Sequence, residues 1–517
     1  MTVERNLYEM ERVREASWLR NPRVASLRLR RRALTLRHCL HILPGEKILE
    51  LGAGSGLWTE QLATVLRGEN PITAGVFDKD LSRSISSKNL PNTEIVHLTD
   101  LESEFPAESF DYVIGTEILC QNLYPQTLTA LHRLLKPGGQ MLFFDKNLWN
   151  PRIFCKTILQ SIERFWGIAN CQVGLSKYQL MKIASHQGFV NIDIIPFNTI
   201  YTRLPQLFLP LVKTISFLHE HTPVLSTICD SLYIWLKKPA EGGVERNYVD
   251  LATHPQLFDS VSVVVPCHNE QMNVPKLVEA LVQTYDNYLH EIIIVNDNST
   301  DQTADVTWDL AQRDPRIKLI NRSRPNGVGL ALQDGYAAAT GRYILTMDCD
   351  FAHIVPEFRD LFDVVASGRD GAIGSRFSQE SVLINYPFFK VLCNRSCHVL
   401  IRLLLPIRVR DISNNLKLYR AEILKGLEIE EDGFAANMET GLKPILSGYD
   451  IREVPISWIN RTTNMGTSSF RLLQVAPGYL MSLLRTIFAF YRGKRTFIQK
   501  TEKDIHYSAA EHSETAQ

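Results

Sequence analysis

The stretch Tyr343-Ile344-Leu345-Thr346-Met347-Asp348-Cys349-Asp350-Phe351-Ala352-His353 is an apolar run that ends in two carboxylates. Its first five residues have the length and composition of a buried strand. Residues i and i+2 of an extended segment project to the same side. Asp348 and Asp350 are therefore expected to aim two hard oxygen ligands at one point beyond the strand end. Such ligands suit Mg²⁺ or Mn²⁺, which commonly sit between carboxylates and a substrate's phosphates. In α/β sheets, ligands lie at the carboxyl ends of strands. A bare Asp-x-Asp is common in solvated loops; here other strands with polar ends precede it and an Arg-bearing turn follows.

Working outward, residues 261–265 read as a strand ending in Pro266-Cys267-His268-Asn269-Glu270, with a helix over about 274–284. Residues 291–295 are the next strand, ending in Asn296-Asp297-Asn298-Ser299-Thr300-Asp301. After a further helix and the short strand 317–321, Gly327 and Gly329 open a helix that Gly341 stops. This alternation predicts an open, mostly parallel sheet. Asp297 can accept hydrogen bonds from a nucleobase. Glu270 and the backbone around Pro266 can hold the same base and its ribose. Gly327 and Gly329 permit close approach, and Asp348 with Asp350 would hold a metal on a diphosphate. Taken singly, each is equally a turn residue or a helix cap.

In this order, over about residues 260–475, the chain resembles the family 2, GT-A glycosyltransferases, and most closely the dolichol- and polyprenol-phosphate sugar synthases. The resemblance rests on Val263-Val-Val-Pro-Cys-His-Asn-Glu270, Val295-Asn-Asp-Asn-Ser-Thr-Asp301, Asp348-Cys-Asp350, Gly374-Ser-Arg376, Asp411-Ile-Ser413, and Arg461 with Gly466 and Ser468. It implies a UDP- or GDP-sugar donor held by Pro266, His268, Glu270, Asp297, Asp348 and Arg461, with Mg²⁺ or Mn²⁺ on Asp348 and Asp350. It also implies a lipid-phosphate acceptor faced by Arg376, while Arg461 faces the donor's diphosphate. Asp350, Arg376 and Asp411 are the expected catalytic residues; Asp411, in the acceptor loop, is the candidate base if the acceptor is a hydroxyl. The sequence departs from the family pattern at several places. Ala352 stands where a third metal ligand, Gln, is usual, leaving water or His353 to fill the position. The usual Asp-Asp is Asn296-Asp297. The loop Asp411-Ile-Ser-Asn-Asn415 lacks its glycine, the stretch from Arg461 to Gly466 is long, and no Lys follows Ser468.

The N-terminal half carries Lys47-Ile-Leu-Glu-Leu-Gly-Ala-Gly-Ser-Gly56. A strand, a glycine turn and a helix let backbone and a helix N-terminus approach a ligand. Strands at 72–77, 94–98, 110–114 and 140–144 follow, the first of these ending at Asp78; a helix and strand over 176–196 close the set. Over about residues 30–197 this succession resembles the class I S-adenosylmethionine-dependent methyltransferases. It rests on Glu50-Leu-Gly-Ala-Gly-Ser-Gly56, Asp78, Asp100-Leu101, Ser109-Phe-Asp-Tyr-Val113 and Leu135-Lys-Pro-Gly-Gly139. The resemblance implies that Glu50, Gly52, Gly54 and Gly56 line the cofactor's amino-acid end, that Asp78 takes the ribose, and that Asp100 with Leu101 flanks the adenine. No methyl-acceptor base is readable, and a scaffold that has lost methylation is the alternative.

The chain has 517 residues, too many for one ordinary core. With 56 basic and 56 acidic residues it offers no bulk charge for nucleic acid. Its nine cysteines show no metal spacing, which fits reduced thiols in the cytosol. The expected fold is α/β in two domains: a Rossmann-like methyltransferase sheet over 1–238, a linker at 239–259, a mostly parallel GT-A sheet with interfacial helices over 260–492, and a polar tail at 493–517. Arginine-rich residues 12–37 read as a solvated helix face or as a contact for an anionic membrane or phosphate. Apolar residues 199–238 read as a cap on the methyl-acceptor pocket, a lipid contact or packing against the second domain. Two amphipathic candidates have polar lines Lys390, Asn394, His398, Arg402 and Arg471, Gln474, Gly478, Ser482, Arg485. Each fits an interfacial helix, a core helix or a dimer face. The resemblance favours a bifunctional cytoplasmic enzyme, peripheral on the inner face of the membrane, acting in surface glycan or glycolipid synthesis. A hydroxyl-acceptor glycosyltransferase with a non-catalytic methyltransferase-like scaffold is the rival. The oligomeric state is not readable.

Overall fold

The structure is a computed structural model that describes residues 3–99, 101, 104–119, 124–165, 176–198, 216, 219–240, 248–378, 380–384, 386–459, 472–494 and 496–498. Asp100, Arg461, Gly466, Ser468 and Arg471 lie outside the described residues, as do much of 199–238, linker residues 241–247 and the tail beyond 498. The chain divides into two compact units, Met1–Asn247 and Tyr248–Gln517.

In the first unit, helices α1 (Val3–Leu19) and α2 (Pro22–Leu40) precede the sheet. Its strands are β1 (Ile48–Leu51), β2 (Ile72–Val76), β3 (Thr93–His97), β4 (Phe110–Thr116), β5 (Leu135–Lys146), β6 (Val190–Phe197) and β7 (Ser231–Lys237). Helix α3 (Leu57–Val65) follows the glycine turn. The strand order is β3-β2-β1-β4-β5-β7-β6. β1 pairs in parallel with both β2 and β4, whereas β7 runs antiparallel between β5 and β6. All four β1 residues are buried, as expected of a strand covered on both faces. β7 corrects the reading of residues 199–238: their last part is neither cap nor lipid contact but a strand inside the sheet.

The arginine-rich stretch is corrected too. Arg28 and Arg32 of α2 point inward and share Glu117 Oε1, each at 2.9 Å, while Arg28 also meets Asp230 at 2.9 Å. Arg31 pairs with Glu220 at 2.6 Å. Burial would raise the Glu117 carboxyl, but Arg28, Arg32 and Lys146 together hold it well below the usual carboxylate range. These arginines serve buried pairs, where removing one partner strands a charge, rather than a solvated face.

In the second unit the strands are β8 (Val261–Cys267), β9 (Leu289–Asp297), β10 (Ile317–Arg322), β11 (Tyr343–Thr346), β12 (Gly371–Ser375), β13 (Val382–Ile384), β14 (Lys417–Arg420), β15 (Ile451–Pro455) and β16 (Ser457–Ile459). Seven form a sheet of order β10-β9-β8-β11-β14-β12-β15, and β13 pairs with β16. β8, β9, β10 and β11 are parallel; β14 is antiparallel to β11 and β12. Parallel register sets Val264 beside Thr346 and Cys267 beside Asn296, so the polar ends of β8, β9 and β11 gather at one edge. After β11 the chain does not stay extended. Asp348 has strand-like angles, but Cys349–Phe358 winds into a 3₁₀ helix that carries Asp350 in its first turn. The two carboxylates are brought together by a helical turn, not by strand pleating. No described helix is long and apolar enough to cross a membrane.

Candidate active site

One cavity of about 520 Å³ in the second unit is lined by Pro266, His268, Glu270, Asp297, Asp348, Asp350 and Arg376 together. The expected donor and metal residues thus share a wall, apart from Arg461. The loop after β8 is latched to the loop after β9: His268 Nδ1 meets Asp297 O at 2.8 Å, and the Asn269 N–H donates to Ser299 Oγ at 2.9 Å. Asp297 is less free than expected. Arg322 holds its Oδ1, and the Gly327 N–H donates to Oδ2 at 2.8 Å; only second lone pairs remain for a base. Gly329 is close-packed against the chain itself, since a Cβ there would fall on the Glu431 carbonyl.

Asp348 and Asp350 form a donor set that fits a hard divalent cation. Asp350 is buried, and the Asn415 Nδ2 donates to Asp348 Oδ1 at 2.8 Å. Asn415 was not among the expected site residues. Its signal was the missing glycine in Asp411-Ile-Ser-Asn-Asn415. His353 does not line the cavity; its Nδ1 lies 3.1 Å from Asp350 O.

Asp411 stands behind Arg376 and not in the cavity wall. It is fully buried and is not among the residues lining the cavity. Its Oδ2 accepts from Arg376 Nε at 2.7 Å and from the Arg376 N–H at 3.0 Å, and its Oδ1 accepts from Nη2 at 2.9 Å. Burial would raise this carboxyl, but the Arg376 charge and hydrogen bonds outweigh it and hold it low. Asp411 thus fixes the orientation of the Arg376 guanidinium through three hydrogen bonds. That guanidinium also stacks near Trp458 and Phe377, at 5.4 and 5.6 Å. Lys390 lines the same cavity, and burial together with the Arg376 charge lowers its pKa.

The far wall comes from the helices Phe388–Leu404 and Leu472–Tyr491, through Leu400, Ile401, Tyr479, Leu480 and Leu483. Their polar lines are turned inward in part. His398 is buried, with Nδ1 2.8 Å from Asn394 O and Nε2 accepting from the Ile412 N–H at 3.0 Å. Ser482 is buried against Glu439 at 3.3 Å. The apolar side faces out: Phe389 is 73% exposed and Leu403 77%, with Leu392, Val399, Met481, Leu484 and Phe488 also exposed.

In the first unit the glycine turn meets a ligand of the protein's own making. Glu11 of α1, fully buried, accepts from the N–H groups of Gly54, Phe77 and Asp78, each at 3.0 Å. Arg14 donates to Gly52 O at 2.6 Å and Thr116 O at 2.9 Å, and Ser55 Oγ donates to Glu15 at 2.6 Å. Arg12 lies 3.4 Å from Asp78, whose other oxygen caps the next helix through the Asp80 N–H at 2.8 Å. Gly54 has φ +59°, and a Cβ there would fall on Glu15 Oε1. In this arrangement Glu11, Arg14 and Glu15 of α1 occupy the cradle expected for S-adenosylmethionine. Glu50 remains suggestive of a ligand, because its buried Oε2 has no hydrogen-bond partner among the described residues. Burial pushes both Glu11 and Glu50 up to about 7. Leu101 is a buried core residue. The arginine-rich helix face read from the sequence begins at residue 12, within α1, and gives Glu11 and Glu15 no role.

Residues 262–427 match the family described as glycosyl transferase family 2, and residues 48–139 match a methyltransferase domain. The dolichol-phosphate mannosyltransferase of Pyrococcus furiosus is 30% identical over 201 residues, covering 38% of this chain and 56% of that protein. The chain thus spans little more than half of that relative's length. The polyprenol monophosphomannose synthase of Mycolicibacterium smegmatis is 28% identical over 214 residues, covering 40% of this chain and 80% of that protein. Among solved structures, glucosyl-3-phosphoglycerate synthase from Mycobacterium tuberculosis, in complex with Mn²⁺, uridine diphosphate and phosphoglyceric acid, is 16% identical with a TM-score of 0.37, over 47% of this chain and 84% of that one. The chain thus carries, in order, a stretch similar to methyltransferase domains, residues 48–139, and a stretch similar to family 2 glycosyltransferases, residues 262–427.

Proposed function

We propose that the C-terminal domain transfers a sugar from a UDP- or GDP-sugar to a polyprenyl-phosphate-type lipid, at the cytoplasmic face of the membrane. The observation that carries this reading is a single cavity lined both by the Asp348, Asp350 and Arg376 group and by Leu400, Ile401, Leu480 and Leu483 of two helices with apolar outer faces. Asp348 and Asp350 would hold a Mg²⁺ or Mn²⁺ ion, which when bound would neutralise the leaving diphosphate. Arg376 and Lys390 attract and orient an acceptor phosphate where the polar wall meets the apolar one. A phosphomonoester has a second pKa of about 6, so it arrives as a nucleophile and needs no base. This agrees with the engagement of Asp411 by Arg376. Similarity to a dolichol-phosphate mannosyltransferase and a polyprenol monophosphomannose synthase supports the same acceptor class. Supplying labelled UDP- and GDP-sugars with Mn²⁺ to vesicles carrying polyprenyl phosphate should move label into the organic extract. Label found only in water-soluble product would replace the lipid with a hydroxyl acceptor.

The membrane contact has its own test. Phe389→Glu with Leu403→Glu removes two exposed apolar side chains and should leave the melting temperature nearly unchanged. Each lost burial is worth roughly 1.5–3 kcal/mol, so vesicle binding should weaken about tenfold or more per residue. Unchanged co-sedimentation with vesicles would remove the interfacial role.

For the N-terminal domain we infer methyl transfer from S-adenosylmethionine only in a state where α1 has left the cradle. The filled cradle also favours a second reading, a non-catalytic scaffold. Calorimetry separates them. Glu11→Ala discards three hydrogen bonds to the cradle, each worth about 0.5–1.5 kcal/mol net, and should raise S-adenosylmethionine affinity about tenfold or more. Binding weakened by the substitution would make Glu11 part of the cofactor site. No binding by either protein would leave the scaffold. Gly54→Val is a poorer test, since it would strike α1 before any ligand.

A further inference from the structure

We propose that Asn415 supplies the third protein oxygen to the metal held by Asp348 and Asp350, its side-chain amide turning over so that Oδ1 meets the ion. The inference rests on the metal-dependent reading of this cavity given above.

Sheet register puts Asn415 in place. β11 and β14 pair antiparallel, from Tyr343 with Arg420 to Thr346 with Lys417. Continued two residues past the end of β11, that register sets Asn415 opposite Asp348. The contact follows: Asn415 Nδ2 lies 2.8 Å from Asp348 Oδ1. Asn415 is only 2% exposed, lines the cavity beside both carboxylates, and its Oδ1 has no hydrogen-bond partner among the described residues. A buried amide oxygen left unpaired costs roughly 1–3 kcal/mol and calls for an explanation.

A metal supplies one. Without a cation, the carboxylate selects the N–H side of the amide. With a cation, the same position favours the oxygen, and the two ends of an amide are exchanged by rotation about one bond. Octahedral Mg²⁺ takes oxygens at about 2.0–2.1 Å, so adjacent ligand atoms lie roughly 2.9 Å apart by that geometry. The 2.8 Å between the Asn415 amide and Asp348 Oδ1 is therefore already a ligand-to-ligand spacing. Other candidates fall away. Ala352 has only a methyl group, and His353 lies against the Asp350 carbonyl. Among the described residues, no group of three or more His, Cys, Asp or Glu side chains could hold a metal. Asn394 and Asn437 also line the cavity with partnerless amide oxygens, but neither bonds to a metal carboxylate. The amide absent at 352 is supplied from the loop that leads into the facing strand β14, where the usual glycine is absent.

Mn²⁺ binding to the full chain, read by electron paramagnetic resonance without donor, tests this apart from turnover. Asn415→Ala should weaken Mn²⁺ binding about 10- to 100-fold with an unchanged melting temperature, and Asn415→Asp should preserve it. Asn415→Cys should shift preference from Mg²⁺ toward Cd²⁺, because a thiolate selects softer ions; a residue that merely orients Asp348 would cause no such shift. Asn415→Gly combined with Ala352→Gln should recover affinity lost in Asn415→Gly alone. An Asn415→Ala affinity within twofold of wild type, or no Cd²⁺ preference in Asn415→Cys, overturns the inference. Should wild type itself bind no Mn²⁺, and Asp350→Asn change nothing, the metal-dependent reading fails instead.

Discussion

Asp350→Asn is expected to lower metal-dependent sugar transfer by about 10²- to 10³-fold, the several kcal/mol that a metal contributes to transition-state charge. The carboxylate is buried in the first turn of the Cys349–Phe358 helix and lines the cavity with Asp348. An amide fills the same volume, so the 3₁₀ turn should persist. What goes is one of two formal charges facing a dication, in surroundings where water screens poorly. The apparent Mn²⁺ requirement should rise with the fall in rate, and excess Mn²⁺ should recover part of it. Asp348→Asn should behave similarly, because it removes the other of the two carboxylates lining the cavity. The measurement is the initial rate of labelled sugar transfer across a Mn²⁺ titration, at matched folded protein. Near-normal, metal-dependent turnover by Asp350→Asn would sink the role given to this carboxylate.

The parallel strands β1 to β5 and β8 to β11 were legible because buried parallel strands are short apolar runs with polar ends, whereas β12, β14 and β15 were not read. Val261 to Cys267 and Ile48 to Leu51 leave little choice of period. β7 was hidden for the same reason: Ser231 to Lys237 is apolar and aromatic within a longer apolar stretch, and no alternation set it apart. The helix Phe388–Leu404 shows a different limit. Its polar stripe was readable at four-residue spacing, but amphipathicity does not say which face looks outward. His398 turns in because the Ile412 N–H needs an acceptor, and that is a tertiary fact. Glu11 and Asp411 belong with it. Glu11 reaches N–H groups 43 to 67 residues away, and Asp411 meets Arg376 at a separation of 35. A carboxylate read alone offers itself as a base or a ligand; its partner decides.

For Asp411 that decision predicts a loss of stability. Asp411→Asn removes the partner of a guanidinium whose side chain is 12% exposed and replaces two charge-assisted acceptors with one neutral oxygen. Breaking a buried pair costs about 3–5 kcal/mol, which lowers the melting temperature of a domain this size by roughly 6–20 °C. The sign with pH follows from the depressed carboxyl. Its stabilisation is complete above the unfolded value of about 3.9 and is lost only as pH falls through the lower folded value. The gap in melting temperature between wild type and Asp411→Asn should thus be flat from neutral pH down to about 4 and close below it. A gap already closing near neutral pH would mean that Asp411 is not held by Arg376. The same variant bears on the acceptor once assayed below its melting temperature. If Asp411 acts through Arg376, the KM for lipid phosphate should rise, Arg376→Ala should be more severe, and the pH-rate profile should keep its shape. A base would instead contribute about 10²- to 10⁴-fold in turnover and take an inflection with it. A collapse in kcat with KM unchanged, beside an active Arg376→Ala, would return the acceptor to a hydroxyl and Asp411 to the chemistry.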